Sequence, residues 1–135
     1  MATVAKSSLA TTKVSAILRA DDYDRVKRFY EDKLGLEVKD TPGPTRQGEV
    51  DAGDGTSFIV YERPGMPAPP STAIGFLVPD VEASVRELQG RGVVFEEYDL
   101  PDIGLKTVNG IAKSDGAMAA WFKDSEGNIF AVYPQ

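Results

Sequence analysis

Val14-Ser15-Ala16-Ile17-Leu18-Arg19-Ala20-Asp21-Asp22 opens a pattern that returns about 58 residues later as Thr72-Ala73-Ile74-Gly75-Phe76-Leu77-Val78-Pro79-Asp80. Each stretch reads as a strand that runs into an aspartate placed to cap a helix. After Asp22, the residues Tyr23, Val26, Tyr30 and Leu34 recur at helical spacing, with Phe29 beside them. Asp24 falls in the first turn, Lys33 lies near the end, and Gly35 stands where a left-handed cap would close the helix. After Asp80, Val81, Val85 and Leu88 form a second helical stripe, closed by Gly90-Arg91-Gly92.

Working outward, Leu36–Lys39 predicts a short strand, and Gly48–Ala52 with Thr56–Glu62 a hairpin across Gly53-Asp54-Gly55. Behind the second helix, Val93–Tyr98 predicts a strand and Leu100–Ala112 a loop. Gly116–Lys123 and Ile129–Tyr133 predict a last hairpin. Between the copies lies Arg63-Pro64-Gly65-Met66-Pro67-Ala68-Pro69-Pro70-Ser71, a stiff extended connector. The chain therefore divides into a mobile N-terminal tail (1–12), a first βαβββ module (13–62), the connector (63–71) and a second βαβββ module (72–135). The fold class is α+β. Two such modules bury one sheet face each under their helices and leave a curved, half-barrel cleft on the other side.

Composition narrows the chemistry. The 135 residues carry a net charge of −6, which argues against a nucleic-acid partner, since binding one requires cations against phosphate. No apolar run is long enough to span a membrane, and the first dozen residues lack the apolar core of a signal peptide. Zero cysteines fits the cytoplasm. With neither histidine nor cysteine in the chain, His-dependent triads, Cys nucleophiles and the usual zinc and iron sites are excluded.

Val14–Asp22 leading into Phe29-Tyr30-Glu31-Asp32-Lys33-Leu34-Gly35-Leu36, Ile74–Val81, and Phe122-Lys123-Asp124-Ser125-Glu126-Gly127-Asn128-Ile129-Phe130 together resemble the glyoxalase / bleomycin-resistance / extradiol dioxygenase (vicinal oxygen chelate) superfamily, over about residues 13 to 134. The resemblance implies four metal-ligand positions on facing strands, and these fall on Ser15, Ile59, Ala73 and Ala131, with Tyr61 or Glu62 in place of Ile59 if the register of that strand slips. Serine, isoleucine and two alanines offer neither a carboxylate nor an imidazole, so no metal and no cofactor is expected. It also implies a homodimer.

Strand alternation around those positions assigns Ser15, Ile17, Arg19, Ile59, Tyr61, Leu77, Trp121 and Tyr133 to the cleft. Leu18, Val60, Phe76, Val78 and Phe130 then face the helices. Trp121, with Tyr61 and Tyr133, would stack on a flat ligand, and Arg19 would either pair with a ligand anion or reach the rim. Glu49 and Asp51 read as a solvated or rim-facing stripe, and Glu96, Glu97, Asp99 and Asp102 as a solvated face beside Tyr98. Two functional readings follow: a metal-free protein binding a small aromatic or amphipathic molecule, or a superfamily enzyme (lyase, isomerase or dioxygenase-like) with an atypical or carboxylate-only site. A carboxyl group with a raised pKa inside the cleft would favour the second; catalytic residues are left unassigned.

Overall fold

The computed structural model describes residues 3–114 and 116–135; of the predicted tail, Met1 and Ala2 lie outside the described residues. From Thr3 to Lys13 the chain is exposed, with one 3-10 turn at Ser8–Thr11 capped by the Ser7 hydroxyl. Strand β1 (Ala16–Ala20) leads to helix α1 (Tyr23–Arg28), then β2 (Val38–Thr41), β3 (Gln47–Asp51) and β4 (Ser57–Glu62). These form a sheet ordered β1-β4-β3-β2, with β1 and β4 parallel. The second half gives β5 (Thr72–Val78), α2 (Val81–Gly90), β6 (Asp99–Leu100), β7 (Leu105–Val108), β8 (Ile111–Ser114), β9 (Ala117–Lys123) and β10 (Ile129–Pro134). Its sheet is ordered β5-β10-β9-β8-β7-β6, again with a parallel first pair.

Both helices start where the aspartates require. Asp22 accepts from the Arg25 backbone N–H at 3.1 Å and Asp80 from that of Ala83 at 3.0 Å, so each cap satisfies a donor that the helix leaves free. The first helix departs from the even stripe predicted through Leu34. Beyond Arg28 it widens into a π-turn, Phe29–Lys33, in which Leu34 N–H reaches back five residues to Phe29. Leu36 N–H is still held by the Tyr30 carbonyl at 2.9 Å, and β2 starts at Val38, not Leu36, as a result. Gly35 takes the left-handed φ of 66° that the cap position calls for.

Two expectations about the second half need correction. Val93–Tyr98 is not a full strand: it makes a single bridge, Phe95 to Phe122, with Glu96 N–H donating to the Trp121 carbonyl. The reason is space on β9. β8 pairs with Ala117–Ala120, so only the edge near Trp121 and Phe122 is left for Phe95 and Glu96. Leu100–Ala112, expected to be a loop, contains β6, a 3-10 turn and the β7–β8 hairpin. Val108 pairs with Ile111 across Asn109 (φ 53°) and Gly110 (φ 80°), the two positive φ values of a type I′ turn. The second module is thus a βαβββ unit enlarged to a six-stranded sheet.

The two sheets meet along β1 and β5 and share one core beneath the helices. Phe130, fully buried, lies at its centre. Its ring is 5.3 Å from Phe122, and 5.9 Å from each of Tyr30, Phe58 and Phe76. Aromatic rings of both modules thus pack around one residue.

Candidate functional site

On the sheet face away from the helices, the ladders put the expected positions together. Ile17 pairs with Ile59 and Arg19 with Tyr61 on the first sheet; Gly75 and Trp121 both pair with Ala131, and Leu77 with Tyr133, on the second. The alternation holds in the burial as well, except that Arg19 and Ala131 on the open side are buried. Leu18, Val60 and Phe130 are buried and Phe76 and Val78 partly so, whereas Ile17 is 63% exposed, Leu77 56% and Tyr133 38%. Ile59, Tyr61 and Trp121 are half-buried, and Ser15 is exposed just ahead of β1. The Tyr133 ring lies over Gly75, so that a Cβ there would come 2.6 Å from Cε1 and push the ring aside.

Two members of the expected set are placed differently from the clamp drawn from sequence. Trp121 packs edge-to-face on Tyr98, with centroids 5.7 Å apart, so its aromatic partner is Tyr98. Burial, with a smaller contribution from the Glu96 carboxylate, pushes the Tyr98 phenol up and keeps it neutral. Sequence reasoning missed Tyr98 because the predicted loop that follows gave its strand no register. Arg19 is the second case. Its side chain is 6% exposed; Nη1 donates to the Glu126 carbonyl at 2.6 Å, and Nη2 pairs with Asp21 at 3.0 Å. The guanidinium, expected either to meet a ligand anion or to reach the rim, is engaged inside the fold, because the Asp124–Asn128 turn covers that end of β1.

That turn ties the modules together. Glu126, its side chain wholly buried, receives the Arg25 guanidinium at 2.8 and 2.9 Å, and the backbone N–H groups of Asp21 and Asp22 at 3.0 and 2.9 Å. Burial works to raise its pKa, but the bonds from Arg25, Ser125 and the Asp22 N–H outweigh it and hold the carboxyl down at about 2. Asp124 accepts from Tyr30 Oη at 2.6 Å and from two backbone N–H groups, yet burial still pushes its carboxyl up. Asn128 completes the clasp by donating to the Arg19 carbonyl at 2.9 Å.

Two open cavities lie at one end of the sheets, one over β3, the start of β4 and the segment ahead of β1, the other between the start of β4 and β5. One, of about 880 Å³, is lined by Lys13, Ser15, Glu49, Asp51 and Ser57. The other, of about 720 Å³, is bordered by Ser57, Ala73, Gly75, Leu77 and Gln135. Of the expected ligand set, Ser15 and Leu77 line them, while Trp121, Tyr61 and Tyr133 do not. Glu49 accepts from Ser57 at 3.1 Å and Asp51 pairs with Lys39 at 3.0 Å, so the acidic stripe is internally partnered.

The four positions where the resemblance would put metal ligands are a serine ahead of β1, an isoleucine on β4, an alanine at the register shift of β5 and an alanine on β10. Among the described residues no three carboxylates gather to hold an ion. These side chains do not fit a metal. Among the described residues, the carboxyl that burial raises is that of Asp124, which sits in the clasp and not on the open face.

A sequence model described as the Glyoxalase/Bleomycin resistance protein/Dioxygenase superfamily matches residues 12–132. No curated protein matches in sequence. Among solved structures, the chain is similar to a glyoxalase family protein from Enterococcus faecalis (20% identity, TM-score 0.66, covering 91% of this chain and 97% of that one). It is similar also to lactoylglutathione lyase from Agrobacterium tumefaciens (20%, TM-score 0.59, 92% and 93%). A third is the fosfomycin resistance protein FosX from Listeria monocytogenes (14%, TM-score 0.61, 92% and 91%). At these identities the likeness is one of fold. No helix among the described residues is long and apolar enough to cross a membrane.

Proposed function

Since the chain belongs to the glyoxalase/bleomycin resistance/dioxygenase superfamily but carries no metal donor at the four expected positions, we propose that it binds a small aromatic or amphipathic molecule on its open sheet face without transforming it. The observation that carries this reading is the exposed apolar surface of Ile17, Leu77 and Tyr133, flanked by the Trp121–Tyr98 pair. A folded chain leaves such groups open to water at a cost that a ligand recovers. The enzymatic alternative gains no support from Asp124, whose raised carboxyl is held by Tyr30 inside the clasp. The proposal keeps Ser15, Ile59 and Tyr61 as further contacts and leaves out Arg19. It places the protein in the cytoplasm.

Trp121 is the only tryptophan, so its emission reports on this face alone. Titration with aromatic antibiotics, quinones and phenolic acids should quench it to saturation. Trp121→Ala should weaken a bound compound roughly two- to twelve-fold, the loss of about 0.5–1.5 kcal/mol of stacking. A ligand mapped to this face whose affinity is unchanged in Trp121→Ala would overturn the assignment.

The proposal includes a homodimer that leaves this face open to the ligand, formed across a sheet edge or by exchange of modules. Light scattering at micromolar concentration should give about twice the chain mass; a value near 14.6 kDa would count against it.

A further inference from the structure

A groove of about 490 Å³ lies away from the open face, between the exposed side of α2 and the β7–β8 hairpin. Val108, 64% exposed, and half-buried Ile111 give its apolar surface, with the buried Val85 behind them. Arg86 from α2, Lys106 from β7 and Lys113 from β8 surround it, and Glu82 is the one carboxylate in its lining among the described residues. Glu82 is 3.7 Å from Lys113. Among the described residues Arg86 and Lys106 have no ion-pair partner, although Asp99 stands opposite Lys106 across the β6–β7 ladder.

The lining is locally cationic, although the whole chain carries 21 acidic and 15 basic residues. Three cations and, among the described residues, one carboxylate border its apolar part. The volume is that of a small-molecule site. The lining matches an apolar body, and the cations match one anionic head, a carboxylate or phosphate oxygen accepting charge-assisted hydrogen bonds.

We propose that the groove between α2 and the β7–β8 hairpin is a second ligand site, which takes a small organic anion with an apolar body and a single carboxylate or phosphate group. The body lies on Val108 and Ile111, and the head lies between Arg86 and Lys106. The enlargement of the second sheet by β6–β8 then has a use, since β7 and β8 form one wall of the groove.

The test uses 2-naphthoate, 2-naphthyl phosphate and uncharged 2-naphthol as probes. Calorimetry should give saturable one-to-one binding of at least one of the two anions, and comparing them tells which head group is preferred. Binding should weaken about tenfold or more for 2-naphthol, in the double variant Arg86→Glu/Lys106→Glu, and as salt is raised. Trp121→Ala should leave it unchanged, which separates this site from the open face. Amide shifts should map to residues 82–89 and 106–113. Both charge changes lie on exposed side chains, and an unchanged melting curve verifies that the double variant is folded. Failure of both anions to saturate, equal affinity for 2-naphthol, full affinity in the folded double variant, or shifts confined to Trp121 and Tyr98 would each overturn the proposal.

Discussion

Phe130→Ala is expected to destabilise the fold by about 3–5 kcal/mol, a large part of the stability of a domain this size. The ring is fully buried and is stacked with Phe76 and Phe122 at interplanar angles of 22° and 29°. Tyr30 and Phe58 of the first module pack on it as well. Truncation leaves a cavity walled by four rigid rings, which cannot collapse to fill it. The effect should fall on both modules together, in one denaturant transition of shifted midpoint and unchanged slope. Leu77→Ala on the opposite face removes a side chain that is 56% exposed and should cost about 0.5 kcal/mol or less. Urea unfolding of the three proteins is the measurement. A loss below about 1 kcal/mol for Phe130→Ala would mean that the core is not organised around this ring.

That contrast between Phe130 and Leu77 was legible in the sequence, and the reason is physical. Period-two alternation is fixed by backbone geometry, so once one residue of a strand is assigned to a face the others follow. The capping aspartates and the turn at Gly53-Asp54-Gly55 were legible for the same reason: each is a local signal with a local cause. The β7–β8 hairpin was legible in principle. Asn109-Gly110 between Thr107-Val108 and Ile111-Ala112 is a strong short-range hairpin signal, and the alternation on both sides should have outweighed the loop reading. The single bridge at Phe95 was not legible, because how much of the β9 edge remains free depends on where β8 stops.

The open face was readable as a set of positions but not as a set of contacts. Sequence alternation assigns Trp121 and Arg19 to the face without saying what covers them. Tyr98 comes to Trp121 from a segment that belongs to no regular strand, and Glu126 comes to Arg19 from 107 residues away. Both are tertiary effects. The Asp124–Asn128 turn is visible in the sequence as a motif, and the structure gives it a mechanical part: its side chains hold the first module's β1–α1 junction.

That junction should make the domain sensitive to acid through Glu126. With the carboxyl held at about 2 in the folded chain against an ordinary value of 4.5, the unfolded state binds the proton more readily. The stabilisation is therefore complete above pH 4.5 and is lost as the pH falls toward 2, by about 3 kcal/mol in all. Asp124 works in the opposite sense. Burial raises its folded pKa, so its protonation on mild acidification favours the folded chain, and the loss through Glu126 follows at lower pH. Glu126→Gln leaves the Arg25 guanidinium without its counter-charge and turns an amide N–H₂ toward donors, at an expected cost of about 3 kcal/mol at pH 7. Wild type and Glu126→Gln should then be compared by urea unfolding at pH 7, 4.5, 3 and 2. The gap should be nearly constant between pH 7 and 4.5, narrow at pH 3 and be close to zero at pH 2. A gap of the same size at every pH would show that shape and not charge holds the turn, and the clasp would then be a matter of packing alone.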